Sequence, residues 1–210
     1  MTIRLTGLSA HGADELRASF EIGDGEHVQR ESFLISVNDC ADLRLCAGDC
    51  TEEQYDAVAY AASRYAARRR GLSLLAYGRC SEKALCRKLC ARGIEREIAA
   101  EAAASLARDG FLDDSADALA EAERGVTKLW GALRIAAALR NKGYDDDSVR
   151  DALASLEDNG VDFVENCAAL IRKRFPKLPS DPKEKQKMYA SLARMGYTAA
   201  EIRDAVRRCL

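Results

Sequence analysis

Proline is almost missing from this chain: three residues, Pro176, Pro179 and Pro182, all in one short stretch. Proline breaks helix interiors, so nothing of that kind interrupts helices elsewhere. Histidine is nearly as scarce, with only His11 and His27. Neither has neighbours that complete a metal or catalytic set, so no Cys–His or Ser–His dyad has support. The chain has no glycine-rich phosphate loop, no G-x-S-x-G and no H-E-x-x-H. An enzyme is not expected. Aromatic residues make up 6% and are scattered, which leaves no platform for stacking single-stranded bases. No apolar run approaches the roughly 20 residues that cross a bilayer, and no membrane association is expected. The N-terminus shows no basic segment followed by an apolar core, so no signal peptide is read and the cytoplasm is the expected location.

What is present is a repeat. Ser81–Ile94 matches Gly131–Tyr144 at a shift of 50, and that segment matches Glu184–Tyr197 at a shift of 53. Leu85, Ile135 and Met188 correspond, as do Leu89, Leu139 and Leu192. Gly93, Gly143 and Gly196 follow, then Ile94, Tyr144 and Tyr197. The spacing of four places each apolar pair on one helix face. A glycine four residues later closes the helix in the left-handed region, and the apolar residue after it packs back. A second helix starts at once; Thr198-Ala-Ala-Glu201 is a capping box. Each copy therefore reads helix, tight turn, helix, a unit that buries its apolar face only by packing on neighbours. A DNA-reading helix-turn-helix has the same outline and stands as a rival.

Each pair is preceded by another helix, which gives three three-helix repeats. The first, over residues 51–110, starts with a capping box at Thr51-Glu-Glu-Gln54 and a long helix from Glu52 to about Tyr77. It continues through Glu82–Arg92 and Glu95–Asp109. The second, over 111–160, has helices at about 115–128, Gly131–Lys142 and Asp146–Asp158. The third, over 161–210, runs from Val161 to about Phe175. The proline-containing linker follows, then a helix capped by Asp181 with Pro182 at its first position. Residues 1–50 differ. Leu16, Ala18, Phe20 and Ile22 alternate with polar residues, and Phe33, Ile35 and Val37 do so less cleanly. This is strand periodicity. With a turn at Gly23–Glu26 it predicts a β-hairpin, to which Ile3–Thr6 adds a third strand.

A net charge of −2 hides blocks of alternating sign: −8 over residues 1–60, +6 over 61–110, −7 over 111–170 and +7 over 171–210. Such blocks suit self-complementary packing or an acidic partner on the basic stretches. Arg68, Arg69, Arg70, Arg79, Lys83, Arg87 and Lys88 form one basic cluster. Arg172, Lys173, Arg174, Lys177, Lys183, Lys185 and Lys187 form the other. Both suit phosphate contacts or an acidic protein groove. Asp113-Asp114 and Asp145-Asp146-Asp147 sit at predicted helix starts, where the helix dipole accounts for them. There are eight cysteines. Cys86 and Cys90 share a helix face near Cys80, and Cys46 and Cys50 have the same spacing. However, Cys86 corresponds to Ala136 in the repeat, so cysteine reads there as a small hydrophobe rather than as a metal or redox ligand. No metal and no cofactor are expected.

Taken together, these residues resemble the RecX family of RecA modulators. The likeness lies in Arg79–Leu85 with Lys88-Leu89 and Gly93, Gly110-Phe-Leu-Asp-Asp114, Arg134-Ile135 through Leu139 and Lys142-Gly143. It continues in Arg172-Lys-Arg174 and in Lys187 through Gly196-Tyr197 with Ile202. It covers about residues 60–210. The first 50 residues are similar to an N-terminal extension that some members carry. Two positions depart: Asp117-Ala118 stands where the family has an aromatic residue followed by alanine, and Trp130-Gly131 replaces a Gly-Pro type of entry. The resemblance implies a mostly α protein, an elongated curved array of three tandem three-helix repeats with a small β-hairpin-containing extension. It implies a monomer that binds RecA and its nucleoprotein filament and inhibits recombinase and ATPase activity in DNA repair, homologous recombination and the SOS response, with at most weak direct DNA contact. The competing readings are an autonomous DNA-binding protein and a helical scaffold for proteins; a metal or redox sensor is a minor fourth.

Overall fold

The computed structural model describes residues 2–24 and 27–210. The chain folds as two compact units. The first contains residues up to Gly78 together with Leu85–Phe111. Strands β1 (Thr2–Ala10), β2 (Glu15–Gly23), β3 (Val28–Ser36) and β4 (Gly48–Cys50) form an antiparallel sheet in the order β3-β2-β1-β4. Strict alternation puts Ile3, Leu5, Ala18, Phe20 and Ile35 on one face, where they are buried against Val58, Ala61 and Ala62 of helix α2 (Glu52–Leu75). Phe20, Phe33 and Tyr55 meet edge to face with centroids 5.2–5.9 Å apart. The Tyr55 hydroxyl donates to Glu31, which with burial pushes its phenol up to about 12. The sheet thus shares a core with the first helical repeat.

The β2–β3 hairpin and the strand near the N-terminus follow the sequence pattern; of the turn expected at Gly23–Glu26, Gly25 and Glu26 lie outside the described residues. Val37 is a correction. It opens helix α1 (Val37–Asp42) instead of extending a strand, because Ser36 Oγ accepts the Asp39 N–H at 3.0 Å and caps a helix there. In α2, Thr51 and Gln54 form the expected capping box. The rest of this unit is the body of α3 (Glu82–Cys90) and α4 (Arg96–Arg108), with Leu85, Leu89, Ala103 and Leu106 buried. A Cβ on Gly71 of α2 would come within 2.6 Å of Leu106, so the glycine sets how closely α2 and α4 approach.

The second unit contains Arg79–Ala84 and Leu112–Leu210. Helices α5 (Asp114–Thr127), α6 (Ala132–Lys142) and α7 (Asp146–Asp158) close over Ala118, Ile135, Leu139, Tyr144, Val149 and Leu156. Helices α8 (Phe163–Arg174), α9 (Pro182–Arg194) and α10 (Ala199–Arg208) close over Ala168, Ile171, Met188, Leu192, Tyr197 and Ile202. Trp130 packs against both cores. The repeated residues Leu139/Leu192 and Tyr144/Tyr197 occupy matching buried places. Gly93, Gly143 and Gly196 all have positive φ, at 83°, 98° and 93°.

Successive repeats meet through one recurring contact. The Gly131 N–H, at the start of α6, donates to the Met195 carbonyl at 2.8 Å, and the Leu133 N–H donates to the Gly196 carbonyl at 3.2 Å. Fifty residues earlier in the repeat, buried Ser81 donates its hydroxyl to the Lys142 carbonyl at 2.9 Å. Lys142 and Met195 are themselves equivalent. In both cases the first turn of a middle helix seats on the glycine turn of the following repeat. At the earlier junction the Glu82 N–H also donates to the Asp114 carboxylate at 3.0 Å, and Arg79 pairs with Asp117 at 2.6 Å. Asp117, one of the two departures from the resemblance, is thus buried as the acidic partner of a junction arginine.

Tyr197 closes the later junction by donating its hydroxyl to the Leu129 carbonyl at 3.0 Å. Burial, then Cys167 and Glu201, push its phenol well above the ordinary value. A raised acid keeps its proton in the fold, so its contribution is intact below about pH 10 and is lost as the pH rises further. Tyr197→Phe should cost about 1 kcal/mol at pH 7 from the lost hydrogen bond. The deficit should shrink above pH 10, because Tyr197 then ionises in the unfolded wild type, which lowers the wild type's stability, and phenylalanine has nothing to ionise. Urea titrations at pH 7 and pH 11 check this; an unchanged gap refutes it. Cys167 lies fully buried among these residues, and burial pushes its thiol up to about 12. Native protein at pH 8 should therefore be alkylated by iodoacetamide at exposed Cys46 and spared at Cys167, as read by peptide mass mapping.

Candidate functional site

The structure divides the two basic clusters by what each side chain already holds. Arg68 pairs with Asp109 at 2.6 Å and reaches Ser105 at 2.9 Å. Arg69 pairs with Glu15 at 2.6 Å, Arg79 with Asp117, and Arg172 with Glu165 at 2.9 Å. These four serve the fold. Among the described residues, Arg70, Lys83, Arg87 and Lys88 are exposed and have no carboxylate partner, and the same holds for Lys173, Arg174, Lys177, Lys183, Lys185 and Lys187.

The second group stands on backbone tied down by hydrogen bonds and packing. The Phe175 N–H donates to the Ile171 carbonyl at 2.7 Å and ends α8. Phe175 and Leu178 then pack on the α8–α10 core and pin the proline linker. Asp181 caps α9 by accepting the N–H groups of Lys183 and Glu184, with Pro182 in the first turn. Its carboxylate is thereby committed to backbone. Met188 and Leu192 point α9 into the core, and Lys183, Lys185 and Lys187 stay in solvent. From Arg172 to Lys187 there are seven basic residues against two acidic ones.

Sequence reasoning missed two cations near this cluster, Arg134 and Lys128. Arg134 and Arg174 both approach the Met195 sulfur, at 3.1 and 3.9 Å. Arg134 also stacks over Trp130 at 4.5 Å, and Lys128 lies 5.1 Å from the same ring. Arg134 and Lys128 fall in an acidic block, which hid them from a count of charge by stretch. No helical period signals the pair, because Trp130 precedes the extended Gly131 that caps α6 and the stacking is set by that turn.

Carboxylates also knit α8 to α10. Asp162, held by Arg208 and by backbone N–H groups, lies below the usual carboxylate range; Glu165 is lowered by Arg172 first and then by Arg208. They are spent inside the unit and do not neutralise the lysines of α9. Among the described residues no group of three His, Cys, Asp or Glu side chains could hold a metal ion, and no helix is long and apolar enough to cross a membrane.

The family model for the third three-helix domain of RecX matches residues 161–206, which include the basic side chains from Arg172 to Lys187. Regulatory protein RecX of Xanthomonas campestris pv. campestris (strain B100) is 40% identical over 139 residues, 66% of this chain and 84% of that protein. The chain belongs to the RecX family. Regulatory protein RecX of Stenotrophomonas maltophilia (strain R551-3) is 36% identical over the same length, covering 83% of that protein. In fold, a crystal structure of regulatory protein RecX matches with a TM-score of 0.72 over 96% of this chain and 99% of that one, at 21% identity. RecX from Lactobacillus salivarius matches over 70% of this chain and 96% of its own, with a TM-score of 0.60 at 22% identity. The resemblance drawn from the repeat and the mostly helical fold class are borne out.

Proposed function

We propose that this RecX-family chain is a non-enzymatic regulator that binds the RecA nucleoprotein filament and lowers its ATPase and strand-exchange activity. The observation that carries this reading is the cationic surface of the third repeat. Its lysines and arginines are exposed, have no internal carboxylate, and stand on backbone pinned by Phe175, Leu178 and Asp181. Side chains left in that state are available to an acidic or phosphate-bearing surface, and a filament groove containing DNA offers both.

The three glycine-turn helix pairs do not favour autonomous reading of DNA. The second helices begin at Arg96, Asp146 and Ala199, with Glu97, Asp147 and Glu201 in their first turns. Asp145 accepts the Ser148 N–H at 2.7 Å, and that bond holds its carboxyl below the ordinary range and charged. Carboxylates at the end of a helix that would enter a groove repel phosphate and compete with base edges.

The test is single-stranded-DNA-dependent ATP hydrolysis by RecA of the same organism, with this protein titrated in and binding followed in parallel. The proposal expects ATPase to fall at well below one protein per RecA. No change at any ratio, with no binding to the filament, refutes it.

A further inference from the structure

The recurring junction has a third, open instance. The turn Lys142-Gly143-Tyr144 receives Ser81, and Met195-Gly196-Tyr197 receives Gly131; both glycines are buried there. The equivalent turn of the first repeat, Arg92-Gly93-Ile94, receives nothing. Gly93 is exposed, and a Cβ built on it meets no atom within 4 Å. Beside it an open groove of about 510 Å³ lies between α2 and the α3–α4 turn. Ala67 and Ile98, both buried, form its floor, and Arg70 and Arg92 stand at its rim.

The charge of this groove is the reverse of its filled counterpart. In the second repeat the helix beside the turn carries Asp114, Asp117 and Glu121, and the first two hold the Glu82 N–H and Arg79. The same i, i+3, i+7 spacing on α2 carries Ser63, Ala66 and Arg70. Arg70 has no carboxylate partner among the described residues, and there the Arg92 guanidinium donates only to the Lys88 carbonyl of the preceding helix α3, at 3.0 Å. A second copy of this chain does not suit the groove. The free first turn of a middle helix that it could offer is that of α9, which carries Lys183, Lys185 and Lys187. Nucleic acid suits it poorly as well, since the floor is apolar and Glu95 lines the edge. Both filled counterparts are occupied by the first turn of a protein helix.

We infer that the groove between α2 and the α3–α4 turn is a socket for an acidic segment of the filament protein. The segment enters as the first turn of a helix, its carboxylates on Arg70 and Arg92. The identity of the partner rests on the filament reading above; the socket's chemistry rests on the junctions within this chain.

The test measures affinity of the full-length chain for RecA filaments on single-stranded DNA. Arg70→Glu/Arg92→Glu should weaken binding about tenfold, and Arg70→Gln/Arg92→Gln should fall between it and wild type. Both side chains are exposed, so thermal melts should stay unchanged. A benzophenone amino acid replacing Ser63 should cross-link to a RecA segment rich in Asp or Glu. Changing those carboxylates to lysine should restore binding of the glutamate double variant. Filament binding that survives Arg70→Glu/Arg92→Glu unchanged, or a cross-link to DNA or to an uncharged segment, overturns the socket while leaving the filament reading intact. Absence of binding by the wild type overturns both.

Discussion

Gly131→Ala should destabilise the second unit by about 3 kcal/mol, although nothing in its own backbone forbids alanine. At φ −77° and ψ 163° Gly131 has an ordinary extended conformation. On backbone entropy alone, a Gly→Ala change at such a position stabilises by about 0.4–1 kcal/mol. The junction reverses that sign. An alanine Cβ would lie 2.3 Å from the Gly196 carbonyl oxygen and 2.7 Å from the Tyr197 nitrogen, all main-chain atoms with no rotamer to yield. Relief requires moving the α9–α10 turn off the start of α6. That strains the hydrogen bonds from Gly131 and Leu133, worth about 1 kcal/mol each, on top of overpacking at about 1–3 kcal/mol. Denaturant titration reads this directly, because the chain's one tryptophan, Trp130, adjoins the junction. Gly7→Ala, where a Cβ meets open space, is the control and should stay within about 0.5 kcal/mol of wild type. A Gly131→Ala protein as stable as wild type would mean that the repeats are not held through this backbone contact.

That junction also shows what the sequence could and could not reveal. Leu85, Leu89 and Gly93 recur with their counterparts because each does the same job in every repeat: face, core, turn. A pattern repeated with its physical reason is legible without coordinates. Which residue touches the turn of the next repeat is not, since Ser81 uses its hydroxyl and Gly131 its amide for the same bond. Asp117 read as a departure from the family, and only the position of Arg79 explains it. In the N-terminal region, alternation located β2 and β3, yet β4 and α1 are too short to show a period, and α1 depends on one serine cap. The candidate site was legible as composition only. Charge clusters named fourteen side chains but could not separate Arg68, Arg69, Arg79 and Arg172, which are bonded within the fold, from those that are not. That separation needs the positions of Asp109, Glu15, Asp117 and Glu165, which are distant in sequence in three of the four cases.

The same separation yields the second large effect. Under the filament proposal, Lys183→Glu/Lys185→Glu/Lys187→Glu should raise the concentration needed to inhibit RecA ATPase by about tenfold to a hundredfold, the range in which a charged surface changes local encounter. The three lysines are exposed and follow a cap made by Asp181, so the variant should fold and melt as wild type does. Three new carboxylates near the α9 N-terminus also favour the helix dipole, which argues against loss by unfolding. Arg172→Gln removes one charge from the same stretch, but its guanidinium is bonded to Glu165, so inhibition should change less than twofold. Raising the salt from 50 to 200 mM should weaken wild-type inhibition more than that of the triple variant, because exposed charges are screened over about 10 Å. A triple variant that inhibits like wild type at both salts would place the contact elsewhere on the chain. A loss for Arg172→Gln as large as that of the triple variant would show that its pairing with Glu165 does not withhold it from the contact.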